Sequence, residues 1–150
     1  MTQVDFYILD GESDSERFRL AARIAEKAAQ RDQCVYINTE DAHTAAKLDE
    51  VLWTFSQSSF LPHRIIATGE SGQTTNTAEY IEPVLIGTNV EIAAEPWQVM
   101  INLAGEIPAF FSRYERVAEV IDAHETRRRQ GRERYKYYRD RGYQLKTHNL

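Results

Sequence analysis

The chain has 150 residues, 42% hydrophobic and 27% charged, a composition that fits one soluble domain, residues 1–150, with a real core. Its net charge of −5 is uneven: residues 1–122 carry 9 Lys/Arg against 20 Asp/Glu, a balance of −11, and residues 123–150 carry 9 against 3, a balance of +6. No apolar run reaches the roughly 20 residues of a membrane span, the opening MTQVDFYILD lacks the basic n-region of a signal peptide, and the lone Cys34 cannot form an internal disulfide, so a cytoplasmic protein is expected.

In chain order, VDFYILD at 4–10 reads as a buried strand. GESDS follows as a turn, and Ser13 or Ser15 is placed to cap a helix running to about Arg31. CVYINTE at 34–40 is a second buried strand. Residues 40–55 form a second helix with Ala45, Leu48, Leu52 and Phe55 on one face. Residues 56–63 are a loop, 64–69 a short strand, and 70–82 a polar surface loop. PVLIGT at 83–88 and WQVMINL at 97–103 are strands, with EIAAEP between them. A short helix is expected over 108–115, with Pro108 at its start, then a strand over 116–121. Residues 123–142 form the last helix, closed by Gly142. The β-α-β-α order implies a three-layer α/β/α domain with a mainly parallel sheet and a nucleotide-binding-like topology.

The first β-α turn, LDGESDSE, has one glycine where a dinucleotide fingerprint needs three. It has no Gly-Lys-Ser/Thr pair, and its Asp10, Glu12 and Asp14 repel phosphate. The expected fold therefore lacks a phosphate loop. His43, His63, His124 and His148 are scattered without metal-site spacing, and no serine or cysteine sits in a nucleophile elbow. Catalytic residues, metal ligands and cofactors are all expected to be absent.

Two surface features remain. In VLWTFSQSSFLPHR, Trp53, Phe60, Leu61, Pro62 and His63 cluster at a helix end and the loop after it. This is either an apolar partner surface or core packing of Trp53 and Phe60. In the last helix, Arg128, Arg132, Tyr135 and Arg139 fall at i, i+4, i+7 and i+11 on one stripe. The stripe is either a solvated basic face or an anion-binding one, since an arginine fork grips a carboxylate bidentately beside a tyrosine platform.

The segments DFYILD, KLDEVLWTFSQSSFLPH and RERYKYYRDRGYQL together resemble the chi-subunit family of bacterial DNA polymerase III holoenzyme, in order and over nearly the whole chain. Residues 70–96 match weakly. The resemblance implies a non-enzymatic replication adaptor. One surface would bind the psi subunit of the clamp-loader complex, through Trp53, Phe60, Pro62 and His63. Another would bind the acidic C-terminal tail of single-stranded DNA-binding protein, through Ile121, Arg128, Arg132, Tyr135, Lys136 and Thr147. A helicase partner on the psi-facing side stays open. Arg128 stands where the family pattern has Lys, Arg127, Arg129 and Gln130 make the helix start unusually polar, and Gly131 costs roughly 1 kcal/mol of helix stability relative to Ala. The competing class is a direct single-stranded nucleic-acid binder through residues 127–141, which the acidic body opposes. The adaptor reading involves no direct nucleic-acid contact and no membrane.

Overall fold

The computed structural model describes residues 2–55, 61–66, 74–75, 82–92 and 98–150. Nine strands and three helices occur in these residues, in the order β1 (Gln3–Ile8), α1 (Asp14–Gln30), β2 (Val35–Asn38), α2 (Ala42–Thr54), β3 (His63–Ile65), β4 (Thr74–Thr75), β5 (Val84–Gly87), β6 (Glu91–Ile92), β7 (Val99–Asn102), β8 (Arg116–Ile121), α3 (Glu125–Asp140) and β9 (Gln144–Asn149). Seven strands form one sheet in the order β3-β5-β2-β7-β8-β1-β9, and every pairing in it is parallel. A separate ribbon pairs β4 with β6.

The continuous apolar runs become strands buried on both faces, as parallel sheets require. Alternation sends Val35, Ile37, Ile86, Ile101 and Val120 to one face, against Phe18, Ala21, Ala25, Leu48 and Leu52 of α1 and α2. Val4, Phe6, Tyr36, Met100 and Val117 go to the other face, against Phe110, Phe111, Tyr114 and Tyr138 of α3. The result is the three-layer α/β/α arrangement expected from the element order.

The caps explain where the helices begin. Ser13 accepts the Ser15 amide at 3.1 Å, and Asp41 accepts the Thr44 amide at 2.8 Å. The last helix ends in a Schellman turn. Tyr143 N donates to Tyr138 O (3.1 Å), Gly142 N donates to Arg139 O (3.0 Å), and Gly142 takes φ +80°, which a glycine adopts without strain.

Four expectations need correction. The stretch 70–82, expected as a loop, carries the two-residue strand β4, paired with β6. The helix over 108–115 is a single 3-10 turn, Phe111–Arg113, because Phe110, Phe111 and Tyr114 all reach the sheet and Tyr114 is already extended on entering β8. The strand over 64–69 begins one residue earlier, at His63, and its second half lies outside the described residues. The chain past Gly142 is a seventh sheet strand, β9, hydrogen-bonded to β1 in register Phe6–Thr147.

A buried polar network ties α3 to the sheet. Glu119 on β8 is fully buried. Its carboxylate accepts from Arg134 Nε (2.9 Å), Tyr138 OH (2.7 Å) and Asn102 Nδ2 (3.1 and 3.2 Å). Arg134, also buried, donates a further bond to Gly105 O at 3.0 Å. Burial and the neighbouring Glu119 charge push the Tyr138 hydroxyl well above the usual tyrosine range, so it stays a donor. The chain of bonds continues from Asn102 to Asn38 (3.1 Å), on to the Tyr36 hydroxyl (2.9 Å) and the Val90 amide (3.0 Å). Glu119→Ala leaves the Arg134 charge buried without its partner. It is expected to cost about 3–5 kcal/mol in urea unfolding, and a loss below about 1 kcal/mol would show that the network is dispensable.

Candidate functional site: a basic-rimmed cavity on α3

The face of α3 turned to the protein is Gly131, Arg134 and Tyr138, and the flank beside it carries Arg128, Arg132 and Tyr135. That flank overhangs β1, β8 and β9 and encloses a cavity of about 430 Å³, within the ~300–1,000 Å³ range of ligand pockets. Arg128 is half-buried and Arg132 exposed; Phe6, Ile8 and Ile121 give an apolar floor, and Tyr135 meets Phe6 edge-on at 5.1 Å. Thr147 and Asn149 of β9 make the far wall. Asp10 contributes one carboxylate at the mouth, so two guanidinium groups face a single acid.

Of the six residues expected at a tail-binding site, Ile121, Arg128, Arg132, Tyr135 and Thr147 meet at this cavity. Lys136 is exposed and lies outside the lining. Arg139, the last member of the sequence stripe, is also exposed and hydrogen-bonds Asp140 at 3.4 Å. Phe6, Ile8 and Asn149 belong to the site but are not legible as such, because the first two read as core and β9 was unforeseen. The alternation Leu145, Thr147, Asn149 is the one signal that could have found the wall.

Gly131 acquires a different meaning here. A Cβ built on it would lie 2.3 Å from Ile121 Cδ1 and 2.9 Å from Cγ1. The glycine lets α3 sit directly on β8, and the lost helix propensity is the cost of that approach. Arg127 is likewise structural. It grips the buried Asp122 at 2.6 and 2.9 Å and reaches Glu12 O at 3.2 Å, joining the start of α3 to the first β-α turn. Burial pushes the Asp122 carboxyl up, but the Arg127 hydrogen bonds and charge outweigh it and hold the group below the usual range.

The residues expected at a second surface lie at the opposite edge of the sheet. Trp53, at the end of α2, is 54% exposed, and its ring lies 4.4 Å from that of His63. His63 itself is buried: its Nδ1 is 2.7 Å from Leu61 O, and its Nε2 is 3.1 Å from Asp49 Oδ1, off hydrogen-bond alignment. His63 thus braces Trp53 from beneath and offers little surface of its own. Pro62 is half-buried, Ile65 beside it is 38% exposed, and Phe60 lies outside the described residues. The spacing in LDEVLW and LPH is explained by this contact: Asp49, Trp53 and His63 touch.

The crevice at the carboxyl ends of β2, β5 and β7, where doubly wound sheets take nucleotides, is present at about 480 Å³. Glu40, Glu91 and Glu106 line it, and three carboxylates repel a phosphate chain. Among the described residues no group of His, Cys, Asp and Glu is arranged to hold a metal ion, and no helix is long and apolar enough to cross a membrane.

A parallel α/β sheet with a cationic, apolar-floored cavity at its edge, away from the nucleotide crevice, defines an α/β domain of nucleotide-binding-like topology. Solved structures that share this fold include T4 UvsW, at TM-score 0.64 and 13% identity over 99% of this chain and 42% of that one, and the Mss116p DEAD-box helicase domain 2 bound to an RNA duplex, at TM-score 0.61 and 12% identity over 97% of this chain and 63% of that one. This chain therefore spans less than two thirds of either, and at such identity the likeness concerns fold alone. The family is fixed by sequence: residues 1–146 match the model of the DNA polymerase III chi subunit, HolC, and the chain belongs to that family. Relatives named DNA polymerase III subunit chi occur in Pseudomonas aeruginosa (32% identical over 150 residues, 100% of this chain and 98% of that protein), Haemophilus influenzae (28%, 97% and 95%) and Escherichia coli (27%, 98% and 97%). Chi is an accessory subunit of a replicative polymerase, not its catalytic subunit.

Gly131→Ala tests how closely the helix must sit. The gain in propensity of roughly 1 kcal/mol offsets an overpacking cost of about 1–3 kcal/mol. Urea stability is expected to fall by less than about 2 kcal/mol while the cavity narrows and ligand binding drops several-fold. Ile121→Val in the same chain should restore part of that binding, a coupling that two independent sites would not show.

Proposed function

We propose that the chain is a non-catalytic replication adaptor that holds the acidic C-terminal tail of single-stranded DNA-binding protein in the α3 cavity and the psi subunit of the clamp-loader complex on the Trp53 face. The observation that carries this reading is the union, in one cavity, of two guanidinium groups with an apolar floor of Phe6, Ile8 and Ile121. A terminal carboxylate takes a charge-assisted pair of hydrogen bonds from Arg128 or Arg132, worth roughly 1.5–3 kcal/mol. A terminal aromatic ring on the floor adds about 1.5–3 kcal/mol. Upstream acids supply steering more than affinity, since exposed charges are screened beyond ~8–10 Å. Less the ordering cost of a flexible tail, the sum corresponds to micromolar binding.

The two faces support an adaptor because they do not compete. β3, beside Trp53, and β9, beside the cavity, are the two ends of the seven-strand sheet, separated by six spacings of about 4.8 Å, or roughly 29 Å. Both partners fit at once. A helicase would use the Trp53 face and so exclude psi.

Arg132→Ala is expected to weaken binding of an acidic peptide ending in Phe about tenfold, and amidation of the last carboxylate to do nearly the same, the two together being non-additive. Arg141→Ala is the control: its guanidinium stacks on Tyr137 at 3.5 Å, away from the cavity. Strong single-stranded DNA binding lost with Arg132, with no peptide binding in the wild type, would make the helix a phosphate reader instead.

Trp53→Ala should leave urea stability within about 1 kcal/mol, as expected of a largely exposed ring, and abolish co-purification with psi. A large stability loss with psi binding intact would return Trp53 to a packing role.

A further inference from the structure

Residues 1–122 are strongly acidic, yet four of their nine basic side chains converge on one groove. Arg23, Lys27 and Arg31 stand on one face of α1 at i, i+4 and i+8, and Arg116 faces them from the start of β8. The groove, of about 250 Å³, lies on the face of the sheet opposite the α3 cavity. Its floor is apolar, with Leu20, Ile24, Ala28, Val99 and Ala118, and Tyr7 closes one side, stacked on His148 at 4.7 Å. The helix cations are exposed, and among the described residues none of the three makes an ion pair. Arg116 is 3.5 Å from the buried Asp5 and remains half-exposed. Arg116 thus answers Asp5, while the three cations of α1 have no ion-pair partner among the described residues.

We infer that this α1 groove is a second peptide-docking site, and that its occupant is an extended segment of a partner protein with carboxylates at alternate positions and one bulky apolar side chain. Residues four apart on a helix are separated by about 6 Å along its axis. Alternate side chains of an extended peptide are about 6.6–6.8 Å apart. The ladder of Arg23, Lys27 and Arg31 thus matches an acidic strand in pitch, and an apolar side chain at one of the same alternate positions, which share one face of the strand, meets the Leu20 and Ile24 floor. Nucleic acid fits less well: its phosphates leave the floor unfilled, and a long strand must continue over the acidic body. Because the groove engages side chains along a segment, it does not require a free terminal carboxylate, which separates it from the α3 cavity.

The test uses the full chain and a peptide of alternating Glu residues around a central Leu, acetylated and amidated at its ends, followed by fluorescence anisotropy. Saturable micromolar binding is expected, weakened about tenfold or more by Lys27→Glu with Arg31→Glu, reduced by Ile24→Ala, and unaffected by Arg132→Ala. Both side chains are exposed, so the fold should survive the reversal with only a small fall in melting temperature, because Lys27 and Arg31 lie at the C-terminal end of α1. The inference is overturned if the end-blocked peptide does not bind, if binding survives the double charge reversal, or if Arg132→Ala abolishes it. It is equally overturned if a single-stranded oligothymidine binds the groove and displaces the peptide. Failure of the α3 reading, by contrast, would show only with peptides bearing a free carboxylate.

Discussion

A carboxylate buried in the middle of a sheet is tolerated only if its oxygens are fully engaged, and Glu119 meets that demand with Arg134, Tyr138 and Asn102. The consequence reaches beyond the pair. Arg134 lies three residues from Gly131 on the same helical face, so fixing the guanidinium fixes how deep and how far along the sheet α3 sits. That placement brings Gly131 onto Ile121 and leaves Arg128, Arg132 and Tyr135 overhanging β1 and β9. The same bonds run through Asn102 and Asn38 to Tyr36, registering three strands and the loop before Val90 against one another. The cavity is preorganised because the helix carrying its cations is held by charges of its own.

The fold is shared with helicase domains, but the chemistry has moved. At the carboxyl ends of the strands, carboxylates occupy the crevice that a phosphate would need. The basic-rimmed cavity and the exposed Trp53 lie instead at the two margins of the sheet, where strand order rather than loop chemistry sets the distance between them. A shared architecture does not carry a shared site, and the adaptor proposed above would use the margins of the sheet in place of its centre.

Much of this was legible in the sequence. Apolar runs gave β1, β2, β5, β7 and β8, since strands buried on both faces need no alternation; the Ser13/Ser15 pair and Gly142 marked helix ends, whereas the Asp41 cap emerged only in the structure. What was not legible depends on distant partners. Arg134 reads as one more surface cation until Glu119, 15 residues away, is seen beneath it. Gly131 reads as a weak point because its reason, Ile121, lies on another element. β9 escaped because an edge strand facing solvent carries Gln, Lys, Thr, His and Asn in place of an apolar run. His63 reads as part of an exposed cluster, while Asp49 and Leu61 enclose it. The cavity residues themselves came from the family pattern; the spacing of α3 alone supplied the stripe but not the pocket.

The position of β1 has a consequence for how the molecule is made. β1 is synthesised first, yet its neighbours in the sheet are β8 and β9, more than 100 residues downstream. At ~5–20 residues per second, the apolar strand VDFYI waits roughly 5–20 s for its first partner. During that time both its edges are open, the condition in which strands pair wrongly or aggregate. Asp5, which ends beside Arg116 and His148 in the finished fold, places a charge in the middle of the waiting strand and acts as its gatekeeper. Pairings this remote also make folding slow, and the wall that Thr147 contributes to the cavity depends on one of them.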